Sequence, residues 1–232
     1  MSRQLLLDVL PAPAPSLENY IPGPNIEALQ AANDLAPGRA LYLWGADGSG
    51  RSHLLRGLTS LPGLRHYFPA AGSTDILRQL ADSDGRHADL IAIDDVQQLD
   101  EAAQAVVFAL YNRWRESAAS PHAFSLVLAG DRAPLSMPLR EDLRTRLGWD
   151  LVFRLEPLSD ADKLAALQLQ AESRGVNLTP EVLNWILTHL ERDMRKLSRL
   201  IDELDRYSLS ARRPITIPLL RTMLADPNTN RQ

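Results

Sequence analysis

The stretch that decides the fold is Ala40-Leu41-Tyr42-Leu43-Trp44-Gly45-Ala46-Asp47-Gly48-Ser49-Gly50-Arg51-Ser52-His53-Leu54-Leu55. An apolar run reads as a buried strand, the glycine-rich segment as a tight loop, and the run beginning at Arg51 as a helix. Strand, glycine loop and helix in that order are the context of a phosphate-binding loop. Glycines at 45, 48 and 50 let backbone N–H groups turn inward around an anion, and the helix N-terminus adds its positive end. Ser49 lies within that cradle, and Ser52 is placed to offer a hydroxyl to Mg²⁺. Arg51 stands where the G-x4-G-K-[ST] pattern has lysine. A plain glycine turn between a strand and a helix is the bland alternative.

Arginine is bulkier than lysine, planar and bidentate, so it does not simply replace lysine around a β/γ-phosphate. The site is therefore expected to hold nucleotide without being a fast ATPase. All but two of the 25 basic residues are arginines, the exceptions being Lys163 and Lys196, so codon drift is a second explanation of Arg51.

The 232 residues are 45% hydrophobic, enough for one packed domain plus a smaller appendage. A net charge of −4 argues against bulk attraction to nucleic acid. With no cysteine there are no disulfides, thiolate ligands or cysteine nucleophiles. No apolar run reaches transmembrane length, and the start lacks a signal-peptide pattern, so a cytoplasmic location with no membrane partner is expected.

Outward from the loop, apolar runs alternate with helical stretches, which predicts an α/β unit on a parallel sheet. Strands are expected at Ala40–Trp44, Leu64–Phe68, Asp89–Ile93, Ser125–Ala129 and Leu151–Leu155, with helices at Ile26–Asn33 and Glu101–Ser117. After Glu156-Pro157 only helical signals follow. Ser159-Asp160-Ala161-Asp162 opens a run to Arg174, Thr179-Pro180 starts a second, Asp193–Leu209 is a third and Ile217–Leu224 a fourth. The organisation read here is an extended segment over 1–18, an α/β nucleotide-binding domain over 19–156 and a small all-α lid domain over 157–226.

Asp89-Leu90-Ile91-Ala92-Ile93-Asp94-Asp95 ends an apolar strand in two carboxylates, at the sheet edge where ligands collect. Asp94 suits Mg²⁺ held mostly through water. Asp95 suits the polarising of an attacking water. Asp131, ending Ser125–Ala129-Gly130, either senses phosphate or merely forms a turn. Arg144 and Arg146 read as solvated arginines on a short helix. The five histidines, at 53, 66, 87, 122 and 189, have no metal-ligand spacing. Trp44, Trp114, Trp149 and Trp185 are expected in the core.

These segments together resemble the AAA+ ATPases of the bacterial replication-initiator (DnaA) group, and within it the short Hda-type regulators. The residues carrying the match are Tyr20-Ile21-Pro22-Gly23, Tyr42 to Leu55, Ile93-Asp94-Asp95, Phe108 to Arg113, Gly130-Asp131-Arg132, Arg146-Leu147-Gly148-Trp149, Pro157 to Leu164, and Met194-Arg195. Arginine at position 51 is itself similar to what the Hda-type proteins carry. The resemblance implies an AAA+ core with a five-stranded parallel sheet and helical lid, holding ADP or ATP with Mg²⁺. It implies that Tyr20, Ile21 and Pro22 line an adenine pocket, and that His53 and Asp131 belong to the nucleotide site. Arg195 would be a sensor arginine of the lid. Arg146 would be an arginine finger projected into the ATP of a neighbouring subunit, the DnaA initiator.

Gln4-Leu5-Leu6-Leu7-Asp8-Val9 is similar to the motif that docks on the bacterial sliding clamp, with Gln4, Leu5, Leu7 and Val9 as the contact residues; read alone it is a short packed strand. Regulation of an initiator through the clamp is the leading expectation, in a homodimer or higher oligomer and without sequence-specific DNA binding. A stand-alone AAA+ ATPase resembling a helicase loader, working through Ser52, Asp94 and Asp95, is the alternative. A scaffold with a degenerate site is a third. On this length, an initiator's DNA-binding domain is not expected.

Overall fold

The structure is a computed structural model that describes residues 14–83 and 88–225. The expected clamp-docking residues Gln4, Leu5, Leu7 and Val9, and His87, lie outside the described residues. Among the described residues two compact units are present, one over Pro15–Pro157 and one over 158–225.

In the first unit β1 (Ala40–Trp44), β2 (Arg65–Pro69), β3 (Leu90–Asp94), β4 (Ser125–Gly130) and β5 (Leu151–Arg154) form one sheet in the order β2-β3-β4-β1-β5. Every neighbouring pair is parallel. Each strand returns through a crossover: α2 (Arg51–Thr59), α3 (Thr74–Asp82), α4 (Glu101–Ser117) and α5 (Glu141–Leu147), with α1 (Ile26–Asn33) preceding β1.

The alternation of side chains along each strand sorts the core into two layers. Leu41, Leu43, Leu90, Ala92, Val127 and Ala129 pack with Leu54, Leu55 and Leu58 of α2. Tyr42, Ile91, Ile93, Leu126 and Leu128 pack with Val107, Leu110 and Tyr111 of α4. Helices cover both faces, so β3 and β4 are buried throughout and read as continuous apolar runs.

Two expected strands start one residue later. Asp89 is taken out of the ladder because its carboxylate accepts from the Leu64 N–H at 2.8 Å while its own N–H donates to the Leu64 carbonyl. Trp149 corrects a second expectation: it is 40% exposed instead of buried in the core. Its indole lies under the Arg115 and Arg146 guanidiniums, each 4.9 Å from the ring centre. Trp114 is buried, and Trp44 and Trp185 are half-buried.

The second unit contains α6 (Asp160–Ser173), α7 (Pro180–His189), α8 (Met194–Ala211) and α9 (Ile217–Ala225). Ser159 and Asp162 form a reciprocal capping box at α6. Pro180 occupies the first turn of α7, and Asp193 accepts from the Arg195 and Lys196 N–H groups at the start of α8. Leu167, Ile186, Leu197, Ile201, Leu204 and Leu220 form its separate core.

Candidate functional site

Parallel pairing brings the C-terminal ends of β1, β3 and β4 to one edge: Trp44 lies opposite Gly130, and Ile93 opposite Leu128. The loop from Gly45 to Gly50, the Asp94-Asp95 pair and Asp131 therefore leave the sheet side by side. The bend needs glycine at two points. Gly48 and Gly50 have φ of 79° and 94°, which L side chains adopt at a cost. A Cβ on Gly45 would lie 2.3 Å from the Leu155 carbonyl oxygen and 2.8 Å from Ser49 Oγ.

Arg51 opens α2 directly after Gly50. Its side chain is 7% exposed and points to two carboxylates, with Nη2 3.2 Å from Asp47 Oδ1 and 3.6 Å from Asp95 Oδ1. Its Nη1 is buried and finds no hydrogen-bond partner among the described residues; the same holds for Ser49 Oγ and Tyr20 Oη. Buried polar atoms are normally paired. Two orphaned donors on a glycine-bent loop at a helix N-terminus therefore fit the phosphates of a nucleotide. The Ser52 side of the helix is exposed.

Asp94 is 1% exposed. Its Oδ2 accepts from the Tyr67 phenol at 2.7 Å, and its Oδ1 from the Asp95 N–H at 2.9 Å. Burial, reinforced by Asp94, pushes the Tyr67 phenol up to about 12, so Tyr67 remains a donor. A carboxylate aligned in this way suits a water-mediated hold on Mg²⁺. No group of three or more potential metal-ligating side chains occurs among the described residues. Asp95 sits in the left-handed region at φ 53°, and its Oδ1 also accepts from Gln97 Nε2 at 3.0 Å. Asp131 forms a two-bond pair with Arg132, at 2.8 and 2.6 Å. That guanidinium holds the Asp131 carboxyl below the usual carboxylate range, and Arg51 adds to the effect.

On the other side of the loop, Tyr20 is buried, with Ile21 and Pro22 half-buried beside it. Burial pushes the Tyr20 phenol up to about 12. The His53 side chain turns to residues 16–20 and not into the loop. In the second unit Arg195 is exposed and ion-pairs with Asp193 at 3.4 Å.

Arg146 is not the solvated arginine that spacing alone suggests. Its guanidinium lies 3.5 Å from the centre of the Phe108 ring, and Nη1 donates to the Phe108 carbonyl and to Asn112 Oδ1. Burial pulls it below its ordinary value, although an arginine stays charged at neutral pH. Sequence reasoning missed Tyr67, Asp47 and Asn112 as partners of site residues. Only Asp47 carried a signal, its spacing of four residues from Arg51.

A glycine-bent loop before a helix, carboxylates ending the adjacent-but-one strand and sheet order β2-β3-β4-β1-β5 make the first unit a phosphate-loop α/β fold, followed in the chain by a helical unit. Among solved structures the fold is similar to domain III of the replication initiation protein DnaA from Thermotoga maritima, at 24% identity over 92% of this chain and 97% of that one, with a TM-score of 0.77. It is also similar to AMPPCP-bound DnaA from Aquifex aeolicus, at 20% identity over 88% and 68% of the two chains, TM-score 0.66. A Thermotoga maritima RuvB variant matches at 17% identity over 96% and 77%, TM-score 0.70. Residues 160–224 match the family model described as Hda, lid domain. The second unit thus matches an Hda-type lid, and the chain shares its fold with these DnaA and RuvB structures. No helix among the described residues is long and apolar enough to cross a membrane.

Proposed function

We propose that this chain is an adenine-nucleotide-bound regulator that binds the sliding clamp and stimulates hydrolysis of ATP held by the DnaA initiator, so preventing re-initiation. The observation carrying this reading is the Hda-type lid over residues 160–224. Gly45, Gly48, Ser49, Gly50, Arg51 and Ser52 would hold the phosphates of ADP or ATP, and Tyr20, Ile21 and Pro22 the adenine side. Ser52 and Asp94 would hold Mg²⁺, which supplies charge neutralisation at the phosphates. Binding of AMPPCP by a DnaA of like fold supports the choice of an adenine nucleotide.

Two features support a regulator over an ATPase in its own right. Asp95, the residue suited to orient water, is engaged by Arg51 and Gln97. Arg146 is already ordered against Phe108 and Asn112, so little side-chain entropy remains to be lost when it meets a partner's phosphate. A finger supplied in trans is worth about 10³–10⁵ in rate in well-studied systems. Gln4, Leu5, Leu7 and Val9 would carry clamp binding.

The test is hydrolysis of ATP pre-bound to purified initiator, with DNA-loaded clamp, with and without this chain. A large acceleration requiring both clamp and chain is expected, abolished by Arg146→Ala with clamp binding intact. No acceleration with all components active would sink the regulator reading. Robust turnover by the isolated chain, destroyed by Asp95→Ala, would replace it with the stand-alone ATPase.

A further inference from the structure

Gly50, His53 and Gly57 follow one another at spacings of three and four, and so share one face of α2. Residues 16–20 lie along that face. A Cβ on Gly57 would meet Leu17 Cδ2 at 2.9 Å, the Leu17 nitrogen at 3.0 Å and the Ser16 carbonyl carbon at 3.0 Å. A Cβ on Gly50 would meet the Tyr20 ring at 3.1 Å. The two glycines thus form a furrow that admits backbone at one end and an aromatic ring at the other. His53 stands between them. Its Nε2 is 2.7 Å from Asn19 Oδ1 and 3.1 Å from the Ser16 carbonyl oxygen.

Both partners are acceptors, so Nε2 carries the hydrogen and donates to the pair. Asn19 Oδ1 also accepts from the Ser16 N–H at 2.9 Å, and Ser16 Oγ from the Asn19 N–H at 3.3 Å, which closes residues 16–19 into a small loop around the imidazole. The Tyr20 ring meets His53 edge-on at 5.4 Å. Burial keeps the imidazole below its usual range, hence neutral and able to sit in this half-buried place without a counter-ion.

We propose that His53 is a positioning residue of the nucleotide site: it latches residues 16–20 into the Gly50–Gly57 furrow, and this docking couples the segment to phosphate-loop geometry. The inference rests on the nucleotide reading for its consequence, though not for its geometry. Gly50 contacts Tyr20 on one side and precedes Arg51 on the other, so displacement of the segment removes the support of the loop's last turn. By reciprocity, nucleotide that orders the loop also orders the segment.

The test uses the full chain with ADP as the probe, comparing wild type with His53→Ala, Asn19→Ala and His53→Gln, whose amide restores a donor of similar reach. Calorimetry reads ADP affinity, and hydrogen exchange reads the backbone amides of residues 16–20 with and without ADP. His53→Ala and Asn19→Ala should speed exchange of the segment and weaken ADP binding by roughly fivefold or more. ADP should slow that exchange in wild type but not in His53→Ala, and His53→Gln should recover most of both effects. Unchanged exchange and affinity in His53→Ala would overturn the latch. So would a His53→Gln protein as defective as His53→Ala, because shape rather than donation would then be what matters. A wild-type chain that binds no adenine nucleotide would overturn the nucleotide reading and the coupling, while the exchange difference without ADP still decides the docking.

Discussion

Arg51→Ala should weaken nucleotide binding strongly while leaving the nucleotide-free protein about as stable as before. Arg51 is buried, but its partners are wet: the Asp47 side chain is 65% exposed and that of Asp95 36%. Ion pairs with partners this exposed are worth about 0–1 kcal/mol each. Against them stands the buried Nη1 with no hydrogen-bond partner among the described residues, a cost of about 1–3 kcal/mol that the variant removes. Loss of two packed methylenes returns about 1–2 kcal/mol of destabilisation. The net change is within about 1 kcal/mol, or roughly 2–4 °C in Tm for a chain of this size. With phosphate bound, the same guanidinium gains charge-assisted hydrogen bonds worth about 1.5–3 kcal/mol. Their loss corresponds to roughly 10- to 100-fold in Kd. Calorimetric titration with ADP and ATP, run beside thermal unfolding of the nucleotide-free chain, reads both numbers. Unchanged affinity would refute the reasoning, as would a large fall in Tm at unchanged affinity, since Arg51 would then be a structural buried charge.

Gly45→Ala forces a Cβ to within 2.3 Å of the Leu155 carbonyl oxygen, a backbone atom with little freedom. A loss of about 1–3 kcal/mol or more is expected, read as a lower midpoint in denaturant titration. Asp150 accepts from Arg39 and from the Ala40 N–H, and the Arg39 hydrogen bond holds its carboxyl below the usual range. With the folded value depressed, this stability is present above the unfolded value and lost as pH falls through the folded one. Asp150→Asn should therefore cost about 1 kcal/mol at pH 7, discounted for the half-exposed Arg39, and almost nothing at strongly acid pH, as urea titrations at the two pH values would show. Arg146→Lys keeps the charge but cannot lie flat on Phe108 while its Nη1 bonds are made. Stimulated hydrolysis in single-turnover assays should fall roughly tenfold or more.

The layered α/β unit was legible because its strands are short apolar runs closed by glycine, proline or acids, and those punctuators sit next to the candidate site residues. Gly45, Asp94 and Asp131 fall at one edge on the sequence pattern alone, since parallel strands end on the same side. What lay beyond reach depends on which strand neighbours which. Tyr67 meets Asp94 only because β2 lies beside β3, and nothing in the run Arg65–Pro69 marks its phenol as a partner for a carboxylate. Trp149 departs from the expected burial for a related reason. An indole in an apolar context looks buried, but two guanidiniums from α4 and α5 can cover its face and leave it partly wet. The turned-in side chain of Arg146 likewise follows from the approach of α5 to α4, which spacing along one helix does not contain.

Asn25 and Glu156, 131 positions apart, trade both of their bonds: the Asn25 amide donates to the Glu156 carbonyl at 2.9 Å and accepts from its N–H at 2.7 Å. A side chain here does the work of a strand, and it does so where the chain enters and where it leaves the α/β unit. That unit is therefore a ring closed by a clasp. Opening the clasp with Asn25→Ala would strand the Glu156 N–H and carbonyl one residue past Leu155, whose own N–H donates to the Trp44 carbonyl at the end of β1.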